Sequence, residues 1–287
     1  MRTSFVNLAK TLCVGLVSTT GALVAPATAH AQTTVPCNTA ALAAAITAAN
    51  GATGPVTLTL KPGCTYGLTS PLPDILGDLT INARNSTITR NSATPFRILT
   101  VRNSLRLRDA TISNGDAGGD FGGGIANFGT LTVTSSRIRD NRGNFSGGIG
   151  GFTGTTTTIT DSMLTGNHAV HNGGAVANDG NMTINRSRII DNSADQLGGG
   201  VANDGRLRID DSNLNENQAG TGGGGLATFG NVTVTIVRSN VNNNRSTTAP
   251  GGIYNNGSSV TLTMSRVNGN SPTNCLGSPT AVPGCSG

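Results

Sequence analysis

The stretch GGAVANDGNMTINRSRIIDN at residues 173–192 is followed 25 residues later by GGGVANDGRLRIDDSNLNEN at residues 198–217. Each copy begins with a glycine run and an aliphatic residue, and each ends with the pattern S-x-[ILV]-x-x-N. Internal repeats with periods of about 20 to 50 residues are typical of solenoid proteins. The chain is therefore expected to consist of stacked, equivalent coils.

The repeat extends far beyond this pair. The aliphatic residue after the glycine run recurs every 24 to 27 residues, at Ile125, Ile149, Val176, Val201, Leu226 and Ile253. The serine pattern begins at Ser136, Ser162, Ser187, Ser212, Ser239 and Ser265, with an earlier copy from Ser86 and a degenerate one from Ala110. These copies predict about eight coils over residues 81–270.

A short strand of alternating polarity precedes each serine, as in Leu207-Arg208-Ile209. This period of two predicts that one face is buried, whereas a helix needs a period of 3.6. A single coil cannot bury that face alone, but stacked coils can. We therefore predict an all-β protein, a single-stranded right-handed parallel β-helix. The asparagines that end the patterns should turn inward as a ladder of amides; they are Asn141, Asn167, Asn192, Asn217, Asn244 and Asn270.

The two ends of the chain differ from the repeat. Residues 1–31 are expected to be a signal peptide, with basic residues, an apolar stretch and the cleavage site Ala29-His30-Ala31. Residues 32–80 should form an N-terminal cap with a short helix from Asn38 to Asn50, capped by Asn38. Residues 271–287 should form a C-terminal cap or tail. We expect a secreted protein, extracellular or on the cell surface, without a membrane span.

Four cysteines lie outside the predicted signal peptide, at positions 37, 64, 275 and 285. In an exported protein they predict two disulfides, for which three pairings exist. Eight coils of about 4.8 Å separate the ends of the stack by roughly 40 Å, and a disulfide requires Cα atoms within about 7 Å. The architecture therefore favours Cys37–Cys64 and Cys275–Cys285.

The glycine runs and the later [ILV]-x-x-N resemble the repeats of polymorphic outer membrane proteins and related bacterial right-handed β-helix proteins. That family pairs GGA[ILV] with FxxN, and aliphatic residues such as Ile189 and Leu214 stand here in place of its phenylalanine. The resemblance covers residues 81–270 and implies a pectin lyase-like fold. It implies no single activity, because such folds occur in lyases, hydrolases, adhesins and binding proteins.

Three columns of residues on the predicted stack could carry a function. The outward face of the strands is rich in threonine, as at Thr132 and Thr158, which is compatible with ice binding or with an ordinary exposed strand. A turn column reads Phe128, Phe152, Asp179, Asp204, Phe229 and Asn256. Its phenylalanines fit a sugar-stacking platform or a hydrophobic clasp. Asp179 and Asp204 are expected to be neighbours that could share a calcium ion or remain solvated turn residues.

The third column, Asp161, Arg186, Asp211 and Arg238, alternates in sign and predicts a charge ladder between coils. No complete catalytic set of a polygalacturonase is present in the sequence, and we assign no catalytic residue. His168 and His171 are expected to be solvated.

We favour an exported, non-catalytic scaffold that binds a polysaccharide or a cell-surface component as a monomer. No nucleic-acid partner is expected, and no cofactor other than the calcium ion. The alternative is a polysaccharide lyase or glycoside hydrolase acting on an acidic polysaccharide. The formal charge of +5, which falls to +3 without Arg2 and Lys10, suits an acidic polymer but also suits no partner at all.

Overall fold

The computed structural model describes residues 31–248 and 250–287, so the predicted signal peptide lies, except for Ala31, outside the described residues. The described chain is a parallel β-solenoid of about nine turns with a single helix, Thr39–Asn50. All named strand pairings are parallel, and each strand pairs with its equivalent one coil away, as Val176 does with Val201. The predicted all-β solenoid class is confirmed.

The strands form three sheets of very different size. The large sheet contains Ala31–Val35, Val56–Leu60, Thr65–Leu68, Asp78–Arg90, Ser104–Ser113, Thr130–Thr134, Arg137–Arg139, Thr156–Thr160, Met163–Thr165, Asn181–Asn185, Arg188–Ile190, Arg206–Asp210, Asn213–Asn215, Thr233–Val237, Asn240–Asn242, Ser259–Thr263 and Arg266–Asn268. The five-stranded sheet contains Arg142–Gly143, His168–Ala169, Ser193–Ala194, Gln218–Ala219 and Arg245–Ser246. The seven-stranded sheet contains Leu99–Val101, Ile125–Asn127, Ile149–Gly151, Val176–Asn178, Val201–Asn203, Leu226–Phe229 and Ile253–Asn256.

The interior is built by the predicted alternation. Leu207, Ile209 and Leu214 of one coil are buried, and their equivalents in the other coils form a continuous apolar core. Thr157 occupies one of these inward positions, where it is 1% exposed and its hydroxyl lies 2.9 Å from the amide nitrogen of Asn127. A buried polar group is tolerated there because it has a hydrogen-bond partner.

The predicted asparagine ladder is present. Each side-chain amide donates to the side-chain oxygen of the next asparagine at 2.9–3.0 Å, from Asn141 through to Asn270. Each backbone N–H in the ladder also donates to the next side-chain oxygen, as Asn167 does to Asn192 at 3.0 Å. The ladder thereby satisfies backbone groups at a corner where the preceding residue, such as Asp191, has a positive φ of 54°.

A second ladder, of serine hydroxyls, was not predicted. The backbone N–H of Ser187 donates to the hydroxyl oxygen of Ser212 at 3.0 Å, and the same contact recurs from Ser136 to Ser265. It stabilises the bend in the large sheet, where the preceding residue again has a positive φ, such as 44° at Arg186. The repeat therefore keeps a serine at this position because its hydroxyl accepts a hydrogen bond from the backbone N–H of the preceding coil.

The N-terminal helix closes one end of the stack. The side chain of Asn38 accepts a hydrogen bond from the backbone of Ala41 at 3.0 Å, and Leu42 and Ile46 are fully buried against the first coils. The strand Val56–Leu60 pairs with residues 79–82, so this segment also adds a turn to the solenoid. The predicted capping helix and its N-cap are confirmed.

Both predicted disulfides are present. Cys37 and Cys64 join the start of the helix to the turn after the strand Val56–Leu60, with their Cα atoms 5.7 Å apart. Cys275 and Cys285 close a loop at the other end, with a Cα separation of 6.1 Å. No helix among the described residues is long and apolar enough to cross a membrane.

The two disulfides should differ in their effect on stability. Replacing Cys37 and Cys64 together with serine is expected to lower the free energy of unfolding by about 3.5 kcal/mol, and replacing Cys275 and Cys285 by about 2.7 kcal/mol. The difference follows from the sequence separations of 27 and 10 residues, since a longer closed loop restricts the unfolded chain more. Urea denaturation of both double variants measures these losses of unfolding free energy. A larger loss for the Cys275 and Cys285 variant than for the Cys37 and Cys64 variant would contradict the prediction.

Candidate groove over the seven-stranded sheet

A groove runs along the seven-stranded sheet because the outward residue of most strands is small. In each short strand the first and third residues point inward, as Val201 and Asn203 do, and the middle residue points outward. The middle residues, in coil order, are Thr100, Ala126, Gly150, Ala177, Ala202, Ala227 and Tyr254. These small side chains lie between two rows of larger residues, described below as the walls, and so leave a shallow channel along the solenoid axis.

One wall of the groove is aromatic. The rings of Phe121 and Phe145 stack with centroids 4.9 Å apart, and His171 stacks on Phe145 at 4.7 Å. Phe121 also lies over the floor, because a Cβ atom placed on Gly150 would be 3.5 Å from its Cβ. These residues lie one or two positions before the glycine runs, a position that belongs to none of the three predicted columns.

The opposite wall is the predicted turn column. Phe128 and Phe152 stack at 4.2 Å, with the guanidinium of Arg102 4.7 Å above Phe128. Phe152 also reaches Phe121 across the groove, with centroids 5.1 Å apart. These rings clasp adjacent coils together and close the groove over Ala126, which is fully buried.

Beyond this aromatic closure the groove opens into a pocket of about 200 Å³. Its floor is Ala177 and Ala202, Asp179 and Asp204 belong to its lining, and Phe229 bounds it on the far side. The complete lining is Phe121, Phe145, Asn172, Ala177, Asp179, Ala202, Asn203, Asp204 and Phe229. The structure therefore brings the two predicted aspartates together with aromatic side chains from both walls.

The two carboxylates interact electrostatically. Asp179 is exposed at the rim, but partial desolvation of its carboxyl group, together with the charge of Asp204, raises its pKa above the usual value. Neither carboxylate forms an ion pair with any residue in the described ranges. Asp204 leans towards the next turn, where a Cβ on Gly230 would be 2.9 Å from its Oδ1.

The surroundings of Asp179 and Asp204 are poor in further metal ligands. Within residues 31–248 and 250–287 no group of three or more His, Cys, Asp or Glu side chains could hold a metal ion. Ca²⁺ takes about six to eight oxygen ligands. A calcium ion shared by this pair stays a prediction, and it would require most of its ligands from water or backbone oxygens.

The predicted charge ladder lies on the large sheet, away from the groove. Arg186 donates both guanidinium hydrogen bonds to Asp161 at 2.8 Å, and Arg238 does the same to Asp211 at 2.7 Å. These bonds hold the pKa of both aspartates below the usual range. Asp210 pairs instead with Arg208, so Asp210 and Asp211 face different surroundings as the alternation predicted.

A second depression, of about 380 Å³, follows the bend of the large sheet beside this ladder. Arg137 and Arg188 belong to its lining and form no ion pair with a described residue. The threonine face lies on the same sheet, where Thr132, Thr158 and Thr183 are direct register partners. Ice binding by this face stays a prediction.

The expectation that both histidines are merely solvated is wrong. The Nδ1 atom of His168 lies 3.0 Å from the hydroxyl of Ser193, and its Nε2 lies 3.7 Å from a carboxylate oxygen of Asp195. His168 and Ser193 are register partners in the five-stranded sheet, each directly after an asparagine of the ladder, so the repeat register already placed them side by side. His171 extends the aromatic wall.

No family model, curated protein or solved structure matches the chain. Function is therefore inferred from the groove itself and from the repeat pattern.

Proposed function

We propose that the protein is an exported, non-catalytic scaffold that binds a polysaccharide in the groove over the seven-stranded sheet. The observation that carries this proposal is the pocket at Asp179 and Asp204, which combines carboxylates with aromatic walls over a floor of alanines. Sugar rings have apolar C–H faces that pack on aromatic side chains, and their hydroxyl groups donate to carboxylates.

Two further features support this proposal. The glycine runs and the [ILV]-x-x-N pattern support a right-handed β-helix of the pectin lyase-like class, in which polysaccharide ligands are common. The signal-like residues 1–31 support export, and two disulfides suit an oxidising compartment.

Affinity electrophoresis of residues 32–287 through gels containing neutral, amino or acidic polysaccharides tests the proposal. We expect at least one polymer to retard the protein. Ala177→Trp, which fills the groove floor, should weaken retardation about tenfold or more, because the indole occupies the space of the ligand. Thr183→Trp, on the outer face of the large sheet in the same coil, is the matched control and should bind normally.

Two results would contradict the proposal. One is the absence of retardation by every polymer in the panel. The other is loss of binding in Thr183→Trp with normal binding in Ala177→Trp, which would place the ligand on the threonine face. Retardation by acidic polymers that survives Ala177→Trp would instead point to Arg137 and Arg188 at the bend of the large sheet.

A glycoside hydrolase is the second candidate, and a specific observation favours it. A carboxyl group with a raised pKa beside a second carboxyl group is the arrangement that glycosidases use for a general acid and its partner. Asp179 would donate the proton and Asp204 would act as nucleophile or base. Release of reducing ends from a retained polymer, abolished in Asp179→Asn, would replace the scaffold proposal with this one.

A further inference from the structure

The groove is locally acidic although the chain as a whole is basic, with 19 Lys and Arg against 14 Asp and Glu. Asp74 and Asp120, which line a separate depression beyond the aromatic closure, are neutralised by Arg102 and Arg97 at 2.8 and 2.6 Å. Asp179 and Asp204 have no such partner among the described residues. The pocket therefore carries two uncompensated negative charges that a bound cation would stabilise.

The lining distinguishes between kinds of cation. Apart from the two carboxylates it contains the rings of Phe121, Phe145 and Phe229, the alanine floor, and the side-chain amides of Asn172 and Asn203. The side-chain oxygens of Asn172 and Asn203 already accept hydrogen bonds from Leu197 and Asn178, so the lining offers Ca²⁺ few free oxygen ligands besides the two carboxylates. An ammonium group has three donors for carboxylate oxygens, and it can be attached to a ring whose C–H faces pack against phenylalanine.

The size of the pocket limits the ligand further. Its volume of about 200 Å³ is below the range of roughly 300 to 1,000 Å³ found for pockets that hold drug-sized ligands. The pocket thus suits a single sugar ring. A uronate polymer would bring further negative charge next to Asp179 and Asp204, which disfavours it here.

We infer that the pocket at Asp179 and Asp204 binds the protonated amino group of a 2-amino sugar, so that the groove selects a glycan with free amines over its N-acetylated form. This inference rests on the proposed polysaccharide-binding function. The ammonium would donate hydrogen bonds to both carboxylates, while Phe121, Phe145 and Phe229 contact the carbon face of the ring. Acetylation removes the charge and adds bulk at the atom that the carboxylates contact.

Isothermal titration calorimetry with a glucosamine oligosaccharide and its N-acetylated counterpart of equal length tests this, at a pH where the free amine is protonated. We expect the amino form to bind at least about tenfold more tightly, as charge-assisted hydrogen bonds predict. Asp179→Asn and Asp204→Asn should each remove most of that preference. Asp195→Asn, at an exposed aspartate directly after the strand Ser193–Ala194 and outside the pocket, is the matched control and should retain it.

The outcomes separate the inference from the function on which it rests. Equal binding of the two oligosaccharides would overturn the inference and leave the glycan groove standing. Binding of neither, together with no retardation by any polysaccharide, would overturn both. Calcium chloride that raises the melting temperature of the wild type, but not of Asp204→Asn, would show a metal site at this pair and would also overturn the inference.

Discussion

Replacing Asn192 with alanine is expected to lower the free energy of unfolding by about 3 to 5 kcal/mol, because several buried polar groups lose their partners at once. The Asn192 amide donates to the carbonyl of Leu164 at 3.0 Å and to the side chain of Asn217 at 3.0 Å. Its oxygen accepts from both the backbone and the side chain of Asn167, at 3.0 and 2.9 Å. Alanine leaves all of these groups unpaired in an interior without solvent.

Asn181 is the control for this prediction. It begins a strand of the same coil, is exposed, and forms no side-chain hydrogen bond within the described chain. Asn181→Ala should change the free energy of unfolding by no more than about 0.5 kcal/mol. Urea denaturation of both variants decides the matter. If both variants lost a similarly small amount of unfolding free energy, the asparagine ladder would contribute little to stability.

The second large effect concerns the glycine run. Gly199→Ala is expected to destabilise the fold by more than about 3 kcal/mol or to prevent folding, because the new methyl group overlaps the neighbouring coil. A Cβ on Gly199 would lie 2.2 Å from the carbonyl oxygen of Gln218 and 2.4 Å from its carbon, both backbone atoms. The coils cannot move apart without breaking the hydrogen bonds that join their strands.

Gly54→Ala tests the specificity of this effect. A Cβ on Gly54 would meet no atom within 4 Å, so the substitution should be nearly neutral. Expression yield, circular dichroism and urea denaturation compare the two variants. A folded Gly199→Ala protein with unchanged stability would contradict the close packing of the coils.

The stacking of coils was predictable because each buried residue repeats at the same place in every copy. Ile209 and Ile184 are register partners, and Asn192 and Asn217 share a ladder, at the spacing of the sequence pattern. The paired disulfides followed from the same stack. The repeat alone therefore predicts how the coils stack, because equivalent residues pack in the same way in every coil.

The groove could not be predicted in the same way, because its two walls come from different parts of each coil. Asp179 and Asp204 lie in a regular column after the strand, but Phe121 and Phe145 precede the glycine runs. Only the fold shows that these residues face each other across a row of alanines. The pairing of His168 with Ser193, by contrast, follows from the asparagine register, because the two residues directly follow Asn167 and Asn192.

The most direct measurement of the central claim is nuclear magnetic resonance of the protein with ¹³C-labelled alanine methyl groups, titrated with the polysaccharide that retards it most in gels. The floor residues Ala177 and Ala202 should shift as the polymer binds, because it lies over them beside aromatic rings. Ala41 and Ala43 of the capping helix should not. Saturable binding that leaves the floor methyl groups unshifted would contradict the claim that this groove is the binding site.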